Sequence, residues 1–248
     1  MNLGLGLGLT SFAGGGAPAF NPATLSLTGW WRASFAASPW VGTASAGSSG
    51  SRNISEATNP PTVATALNSL NPADFNGTTQ ILTAALAMDQ FVTSAAGMLA
   101  CLFNADAAAA DAGAATAYLN PSFVAHNGIA EVYFTYSSSG VRLGCYNGVD
   151  QNSFAAACGT GAWHLAIGTW DATTLYLSID GGAFTTLTRT LSLSAAGALL
   201  TGRSYSSGGS PAFFNGRIAE LMTGAFTANA THVANIKSYV NTRYALSL

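Results

Sequence analysis

The last third of the chain, residues 162–244, alternates apolar and polar side chains with the two-residue period of a β-strand. The segments WHLAIGTWD and LYLSID show this period most clearly, which predicts two strands that each bury one face. The apolar positions that share a face are Trp163, Leu165 and Ile167 in the first segment and Leu175, Leu177 and Ile179 in the second. The following Asp180-Gly181-Gly182 is typical of a tight hairpin turn. This stretch therefore predicts an antiparallel β-structure.

One helix is predicted, at the end of the chain, beginning near Asn229. Its apolar residues fall on one stripe, which consists of Val233, Ile236, Val240 and Tyr244. The segment RIAELM before the helix is predicted to be a strand, in which Ile218 points inward, or outward together with Glu220. A run of strands closed by one helix is typical of an all-β domain.

Shorter apolar segments upstream predict further strands. The segment LSLTGWW is expected to place Leu25, Leu27 and Gly29 on one face, and Asn76-Gly77 is a strong turn signal. The Ala-rich residues 105–117 are expected to form a loop or a short surface helix. The remaining strands are predicted at residues 98–103, 131–136, 141–146 and 153–158. We therefore predict that residues 21–248 form a single two-sheet antiparallel sandwich with one C-terminal helix.

The surface must be built largely from uncharged side chains. Charged residues make up only 7% of the chain, against about 25% in an ordinary soluble domain, and Lys237 is the single lysine. Low charge gives little colloidal repulsion, which favours assembly into a homo-oligomer or a larger particle. The alternative is an extracellular β-protein with a Ser/Thr-rich coat.

Two classes of protein are excluded by charge and hydropathy. A nucleic-acid binder needs a clustered positive footprint, but the arginines are scattered singly and the formal net charge is −2. The best apolar window, residues 91–103, is far shorter than the roughly 20 residues of a membrane-spanning helix. The N-terminus lacks the basic and apolar regions of a signal peptide, so we expect synthesis in a cytoplasm without export.

The cysteines predict neither a zinc site nor a disulfide framework. Cys101, Cys145 and Cys158 are odd in number and show no CxxC spacing. Cys145 and Cys158 flank a predicted loop and could pair on oxidation. Buried free thiols are the expected state.

Residues 1–20 form a leader that is distinct from the sandwich. Its leucines alternate with glycine, which is the period of an extended strand with one apolar edge: Leu3, Leu5, Leu7 and Leu9. Such a segment could add to the sheet edge of a partner. It could equally be a disordered tail or the first strand of the same sandwich.

The quoted segments together resemble the concanavalin A-like, laminin-G-type jelly-roll domains. The resemblance is carried by a strand that begins with tryptophan, a "dG" hairpin, a "G-x-I-A-E" strand and a helix that ends in "Y-x-x-x-x-Y". GWWRASF is similar to the opening strand of that family, and PADFNGTTQILT to its "F-(D/N)-G" strand. The match covers residues 21–246. It implies a jelly-roll sandwich and leaves the function open.

A second resemblance concerns the leader and the segment that follows it. A Gly/Leu-rich N-terminus running into FNPATLSLTGWWRASF is similar to virion proteins of tailed bacteriophages. In those proteins a jelly-roll domain serves as a head decoration, a head fibre or a tail-fibre component. The resemblance implies a structural protein of the virion, made in the host cytoplasm, with Leu3 to Leu9 anchoring it to capsid or fibre partners.

No catalytic residues are predicted. Glycosidases of this superfamily use paired carboxylates on one strand, as in E-x-D-x-x-E. The glutamates of this chain, Glu56, Glu131 and Glu220, have no acidic residue two positions away. His164 and His232 are expected to be surface or packing residues, and no G-x-S-x-G elbow is present.

Two ligand classes are considered, calcium and glycans. Calcium is the cofactor that the resemblance implies, and the candidate ligands are Asp106, Asp111 and Asp150. Glycans of a host surface could stack on exposed aromatic rings and bond to neighbouring amides. The candidate rings are Trp40, Trp170, Tyr205 and Tyr146. The leading hypothesis is a non-enzymatic virion protein, and the alternative is a lectin-like adhesion module.

Overall fold

The computed structural model describes residues 20–44, 52–93, 95–110, 122–126, 131–146, 150–189, 197–204 and 212–248. The strands in these residues are β1 (Leu27–Arg32), β2 (Gly42–Thr43), β3 (Ile54–Ser55), β4 (Thr62–Val63), β5 (Ala73–Asn76), β6 (Leu82–Ala87), β7 (Ala96–Ala105), β8 (Ser122–His126), β9 (Glu131–Ser137), β10 (Gly140–Tyr146), β11 (Asp150–Ala156), β12 (His164–Asp171), β13 (Thr174–Ile179), β14 (Thr185–Thr188), β15 (Ala198–Thr201) and β16 (Asn215–Gly224). One α-helix, α1 (Ala230–Tyr244), follows them, and short 3₁₀ turns occur at Pro22–Thr24 and Met88–Gln90.

The strands form two antiparallel sheets. Nine strands make the larger sheet, in the order β14-β13-β12-β7-β16-β1-β2, with β5 also paired to β16 and β4 paired to β5. Seven strands make the smaller sheet, in the order β11-β10-β9-β8-β15-β6-β3. The prediction of a two-sheet antiparallel jelly-roll sandwich with one C-terminal helix is confirmed.

A first core fills the space between the two sheets. Both sheets contribute large side chains to it, such as Phe103 and Trp170 from the larger sheet and Phe134 and Tyr136 from the smaller one. Leu175 and Leu177 also lie in this core, and Ile179 packs against it, as the alternation of LYLSID predicts. Burial of this apolar area is the main force that holds the sheets together.

A second core lies on the opposite face of the larger sheet, beneath helix α1. The predicted stripe of the helix is buried there in full, with Val233, Ile236, Val240 and Tyr244 each at most 3% exposed. Asn229 caps the helix as predicted, since its side chain accepts a hydrogen bond from the His232 amide. The central strands of the larger sheet are therefore buried on both faces.

The expectation that Leu25, Leu27 and Gly29 share a face is wrong, because the strand contains a β-bulge. The register of β1 against β16 shifts between Leu27 and Gly29. Leu25 and Leu27 pack under the helix, whereas the space above Gly29 is filled by the ring of Trp31, which belongs to the core between the sheets. A single extra residue thus reverses the side-chain alternation.

The two predicted turns are confirmed. Gly77 has φ +72°, and the Asn76 side chain accepts hydrogen bonds from the next amides as the chain passes from one sheet to the other. Asp180 and Gly181 both have positive φ, as a tight hairpin turn requires. The described part of the Ala-rich segment, residues 106–110, is loop, so no helix begins there.

The cysteines are free thiols in this structure. Cys101 and Cys145 are buried and Cys158 is half-buried. Cys145 lies near the end of strand β10, and Cys158 follows strand β11, which begins at Asp150, three residues before the predicted strand. No helix in the described part of the chain has the length and apolar character of a membrane-spanning segment.

Candidate functional site

Two of the predicted glycan-stacking residues, Trp40 and Trp170, are core residues. Trp40 is 1% exposed and Trp170 is fully buried. Each indole N–H donates to a backbone carbonyl at 2.8 Å, that of Arg32 for Trp40 and that of Thr93 for Trp170. A satisfied N–H lets the whole ring be buried without an unpaired polar group. The prediction that these two rings are exposed is wrong.

Several other predicted residues lie outside the described residues. Leu3, Leu5, Leu7 and Leu9, Asp111 and Tyr205 belong to this group. Tyr146 ends strand β10 and Asp150 begins strand β11, and only their backbone positions are described. The docking role of the leader and the contributions of these side chains stay predictions.

Asp106, the one calcium candidate whose side chain is described, is already paired. Its carboxylate forms an ion pair with the Arg217 guanidinium. Asp74 lies near this pair, and its pKa is raised by burial and by the negative charge of Asp106. The described residues contain no group of three or more metal-binding side chains. A calcium site that uses Asp106 would have to displace Arg217, so calcium binding stays a prediction.

The two histidines that the structure describes with side chains have local packing roles. His164 is half-buried, and its Nδ1 lies 2.8 Å from an Asp180 carboxylate oxygen. Its ring is 5.9 Å from that of Phe103. His232 accepts a hydrogen bond from the Asn229 amide at 3.2 Å, which completes the helix cap.

A groove runs along one end of the sandwich where several loops meet, and we call it the loop groove. It consists of three adjoining clefts of about 440, 360 and 190 Å³, joined by the shared residues Glu56 and Phe213. The central cleft is lined by Glu56, Thr58, Asn59, Thr79, Ile81, Arg203 and Phe213. The central cleft is mainly polar and the two flanking clefts are mainly apolar. An elongated groove of this mixed character matches an oligosaccharide, which presents both hydroxyl groups and apolar C–H faces.

The walls of the loop groove are held by backbone hydrogen bonds. Arg203 and Phe213 face each other in an antiparallel bridge, and the Phe214 amide donates to the Gly202 carbonyl at 2.8 Å. On the opposite wall the Ile81 amide donates to Asn59 at 3.3 Å. Loops fixed in this way lose little conformational entropy when a ligand binds.

The polar side chains of the loop groove retain capacity for hydrogen bonds. Glu56 accepts a hydrogen bond from the Thr58 amide to Oε1 at 2.9 Å, and within the described ranges no hydrogen bond to its Oε2 is present. Arg203 has a sequestered Nε with no partner in the described residues. These two groups do not form an ion pair with each other within 4.0 Å in the described part of the chain. The groove therefore presents the Glu56 carboxylate to a ligand and is lined by the Arg203 guanidinium, whose Nε is buried.

A second cleft, the helix-side cleft, lies between α1 and the loops that precede β1 and β5. Its volume is about 480 Å³, and it is lined by Phe20, Asn21, Asn68, Leu70, Ser238, Tyr239, Thr242 and Arg243. Asn68 is held against the end of the helix by a 2.8 Å hydrogen bond to the Arg243 carbonyl. The cleft combines aromatic, amide and cationic side chains.

Beneath the helix-side cleft lies a buried carboxylate, that of Glu220. It is 1% exposed and accepts hydrogen bonds from the Trp30 indole, from the Tyr239 hydroxyl at 3.2 Å and from the Tyr244 hydroxyl. The Arg243 Nε lies 3.8 Å from its Oε2. Burial raises the pKa of Glu220 to about 7, against the opposing effect of these bonds.

Burial also raises the pKa values of Tyr239 and Tyr244, and the neighbouring Glu220 charge raises them further. Both phenols therefore stay protonated and keep donating to the carboxylate. The sequence offered two alternatives for the RIAELM strand. The structure places Ile218 between the sheets and Glu220 under the helix, with a register shift between them.

A sequence model described as the concanavalin A-like lectin/glucanases superfamily matches residues 103–234, more than half of the chain. The chain belongs to this superfamily. The matched region runs from the end of strand β7 into helix α1. It includes the hairpin, the strand that carries Glu220, and the groove residues Arg203 and Phe213. No curated protein matches the chain at a significant level.

Solved structures share the superfamily fold with this chain. Domain 4 of AbnA, a GH43 extracellular arabinanase from Geobacillus stearothermophilus in complex with arabinotriose, has a TM-score of 0.62 at 14% identity and covers 86% of this chain and 98% of its own. A Trypanosoma rangeli sialidase has a TM-score of 0.58 at 14% identity, covering 86% of this chain. This chain spans 33% of that sialidase.

A third neighbour is the CBM40 of the Ruminococcus gnavus IT-sialidase, bound to α2,3 sialyllactose. Its TM-score is 0.51 at 11% identity, and the alignment covers 67% of this chain and 96% of that one. At such identities these superfamily relatives establish the fold alone.

Sequence reasoning missed the groups that line both clefts. Arg203, Phe213 and Arg243 were not candidates, because each is a single residue in a loop or a helix without a motif around it. One signal was available for Glu220. It is the only charged residue in the apolar run IAELM, and a charge in such a run is either solvent-facing or buried with partners.

Proposed function

We propose that this protein is a non-enzymatic carbohydrate-binding module and that the loop groove holds the glycan. One observation carries the proposal. The central cleft places the carboxylate of Glu56 and the guanidinium of Arg203 beside the half-buried ring of Phe213. Sugars present hydroxyl groups that both donate and accept, together with apolar C–H faces, so they need this combination of partners.

Each lining group has a defined task in this proposal. The Glu56 carboxylate accepts from a sugar hydroxyl, and the Arg203 guanidinium donates to another. The ring of Phe213 contacts the apolar face of the sugar. Thr58, Thr79 and Asn59 supply further hydrogen bonds along the groove. The clefts on either side extend the site for neighbouring sugar units.

Known neighbours support the choice of ligand class. The arabinanase domain is described in complex with arabinotriose, and the CBM40 is described as bound to sialyllactose. Both are carbohydrate ligands on the same fold. The proposal extends this ligand class to the present chain.

We propose no hydrolysis of the bound glycan. Glycosidases place two carboxyl groups about 5–9 Å apart across the scissile bond. Among the described residues that line the loop groove, Glu56 is the only acidic one. Incubation with any glycan that binds should release no new reducing ends.

A glycan array followed by calorimetric titration tests the proposal. We expect saturable binding of at least one oligosaccharide, weakened at least tenfold by Phe213→Ala and by Arg203→Gln. Arg189→Gln is the matched control, because it removes the same charge from a residue that lines neither cleft. Absence of binding across the array, or binding unaffected by both groove variants, would contradict the proposal.

The virion hypothesis is a further proposal about where such a module acts. It is supported by the low charge of the chain and by the alternation of leucine and glycine in residues 3–9. Deletion of residues 1–16 should abolish incorporation into phage particles while the sandwich stays folded. Unchanged incorporation of the truncated protein would remove the anchoring role of Leu3, Leu5, Leu7 and Leu9.

A further inference from the structure

We propose that the helix-side cleft is a second binding site, selective for a sugar acid, and that Arg243 holds the carboxylate of the ligand. This site is separate from the loop groove and does not depend on it. It takes a monosaccharide with a carboxylate, such as a uronic acid or a nonulosonic acid.

The size and lining of the cleft fit one sugar unit. Its volume of about 480 Å³ lies within the range of small-ligand sites. Arg243 is the only charged residue among the described side chains that line it. A guanidinium at the wall of a partly apolar cleft favours an anion over a neutral molecule. The preference is strongest when the Glu220 carboxylate, 3.8 Å from the Arg243 Nε, is protonated and leaves the positive charge unbalanced.

The guanidinium of Arg243 is held in place by the side chains of Tyr244 and Glu220. Its Nε lies 3.8 Å from the Glu220 Oε2 atom, which is longer than a hydrogen bond. The group packs 5.5 Å from the ring centroid of Tyr244, and the side chain is 27% exposed. The planar fork of an arginine pairs with a carboxylate through two parallel hydrogen bonds.

Tyr239 provides a rigid wall for the sugar ring. Its hydroxyl is bonded to Glu220 at 3.2 Å, and its ring meets the edge of Trp30 at a centroid distance of 6.0 Å. A side chain held at both ends pays little entropy on binding. Asn21 and Asn68 are exposed amides of the lining, and the Asn21 Oδ1 accepts from the Ala23 amide while the Asn68 Nδ2 donates to the Arg243 carbonyl. The other polar atom of each amide can bond to a ring hydroxyl.

Glu220 makes binding at this site depend on pH. When its carboxylate is ionised it attracts Arg243 and repels a ligand anion, and when it is protonated both effects vanish. Burial brings the pKa of Glu220 to about 7. The titratable or charged groups that face it are Tyr239, Arg243 and Tyr244 from the helix, with Arg32 of β1 acting on Tyr239.

The ligand should therefore bind more tightly at pH 6 than at pH 8. The carboxylate of the sugar stays ionised over this range, because α-carboxyl groups titrate near pH 3.5. A tighter complex at low pH is the opposite of what ligand protonation would cause. The direction of the pH effect thus points to Glu220 and not to the sugar.

Titration with glucuronic acid, N-acetylneuraminic acid and glucose at pH 6 and pH 8, followed by amide chemical shifts, tests the site. We expect at least one acid to bind with shifts on helix α1, several-fold more tightly at pH 6, and glucose to bind at least tenfold more weakly. Equal binding of glucose and the acids, or no binding by either acid, would overturn the proposal.

Four variants locate the site. Arg243→Gln should weaken acid binding at least tenfold, and Thr242→Trp should do the same by filling the cleft from an exposed position without touching the Glu220 network. Glu220→Gln should remove the difference between pH 6 and pH 8. The control Arg189→Gln should bind as the wild type.

Wild-type affinity in both Arg243→Gln and Thr242→Trp would overturn the proposal. If Arg243→Gln does not fold, the folded Thr242→Trp variant decides the outcome. If Glu220→Gln keeps the full difference in ligand affinity between pH 6 and pH 8, the proposed role of the buried carboxylate in that difference is wrong.

Discussion

At the scale of single residues, the buried carboxylate of Glu220 gives a physical reason for three sequence motifs. The sequence analysis connects these motifs only through the family resemblance. Glu220 is the last residue of the G-x-I-A-E motif, Trp30 lies in the opening strand, and Tyr239 and Tyr244 form the Y-x-x-x-x-Y end of the helix. All three aromatic partners donate to the one carboxylate. A buried acid requires such bonds, because an unpaired one would cost several kcal/mol. The network therefore ties the first strand, the last strand and the helix together.

The pKa of Glu220 predicts a pH dependence of the free energy of unfolding. The folded protein binds this proton more tightly than the unfolded chain, in which glutamate titrates near pH 4.3. The contribution is therefore complete below about pH 4, and about 3 kcal/mol is lost as the pH rises through about 7. Chemical denaturation at pH 5 and pH 8 should show this loss.

Glu220→Gln should lack that loss, because a glutamine cannot ionise. The comparison variant is Glu56→Gln, which makes the same change at a half-buried loop position and should keep the pH dependence of the wild type. The same pH dependence in wild type and Glu220→Gln would contradict the assignment.

At the scale of secondary-structure elements, contact between paired strands depends on the absence of side chains at particular positions. Gly97 of β7 lies opposite Trp170 of β12. A Cβ atom at Gly97 would lie 2.0 Å from an atom of the Trp170 ring. The indole thus occupies the space of the missing side chain, and the 2.8 Å bond to Thr93 fixes it there.

Gly97→Ala should destabilise the sandwich. The added methyl group must displace the buried Trp170 ring, and overpacking of this kind costs about 1–3 kcal/mol or more. Gly159→Ala is the control, because no atom lies within 4 Å of the position its Cβ would take. Thermal unfolding should show a clear decrease in Tm for Gly97→Ala and little change for Gly159→Ala. Equal melting temperatures would show that the ring can move freely.

At the scale of the whole molecule, two apolar layers lie on either side of the larger sheet and leave the two clefts at separate places. One layer joins the sheets and the other joins the larger sheet to the helix. The loop groove lies at an end of the sandwich and the helix-side cleft against α1. Among the described residues, the layer under the helix includes Phe20 and Leu25, and the layer between the sheets includes Trp31.

Because residues 1–20 are predicted to form a leader distinct from the sandwich, deletion of residues 1–16 should leave the sandwich stable. We expect a Tm within a few degrees of the full chain and unchanged near-UV circular dichroism. A truncated protein that unfolds at a much lower temperature would show that the leader is part of the core. That result would also favour the alternative in which the leader forms a strand of the sandwich.

The elements of the last third could be predicted closely from the sequence. Two of these features are the tight turn and the apolar stripe of the helix, and both are decided by neighbouring residues in the sequence. The turn lies at Asp180 and Gly181, and the stripe consists of Val233, Ile236, Val240 and Tyr244. The side-chain direction in β1 could not be predicted, because its bulge depends on pairing with β16, nearly 200 residues later.

The functional surface was the least predictable part. Trp40 and Trp170 are of a residue type that stacks on sugars, but they lie in the core. Phe213 and Arg203 line a groove instead. Exposure of a ring depends on what packs over it, and loops distant in the sequence decide this.

The sequence by itself determined the fold class and the terminal helix, since these follow from local periodicity. The tertiary structure alone decided which aromatic rings are buried, where the two clefts lie and that Glu220 is enclosed by Trp30, Tyr239 and Tyr244. Burial and the pKa of a carboxylate depend on contacts between residues far apart in the chain. Only the folded arrangement creates those contacts.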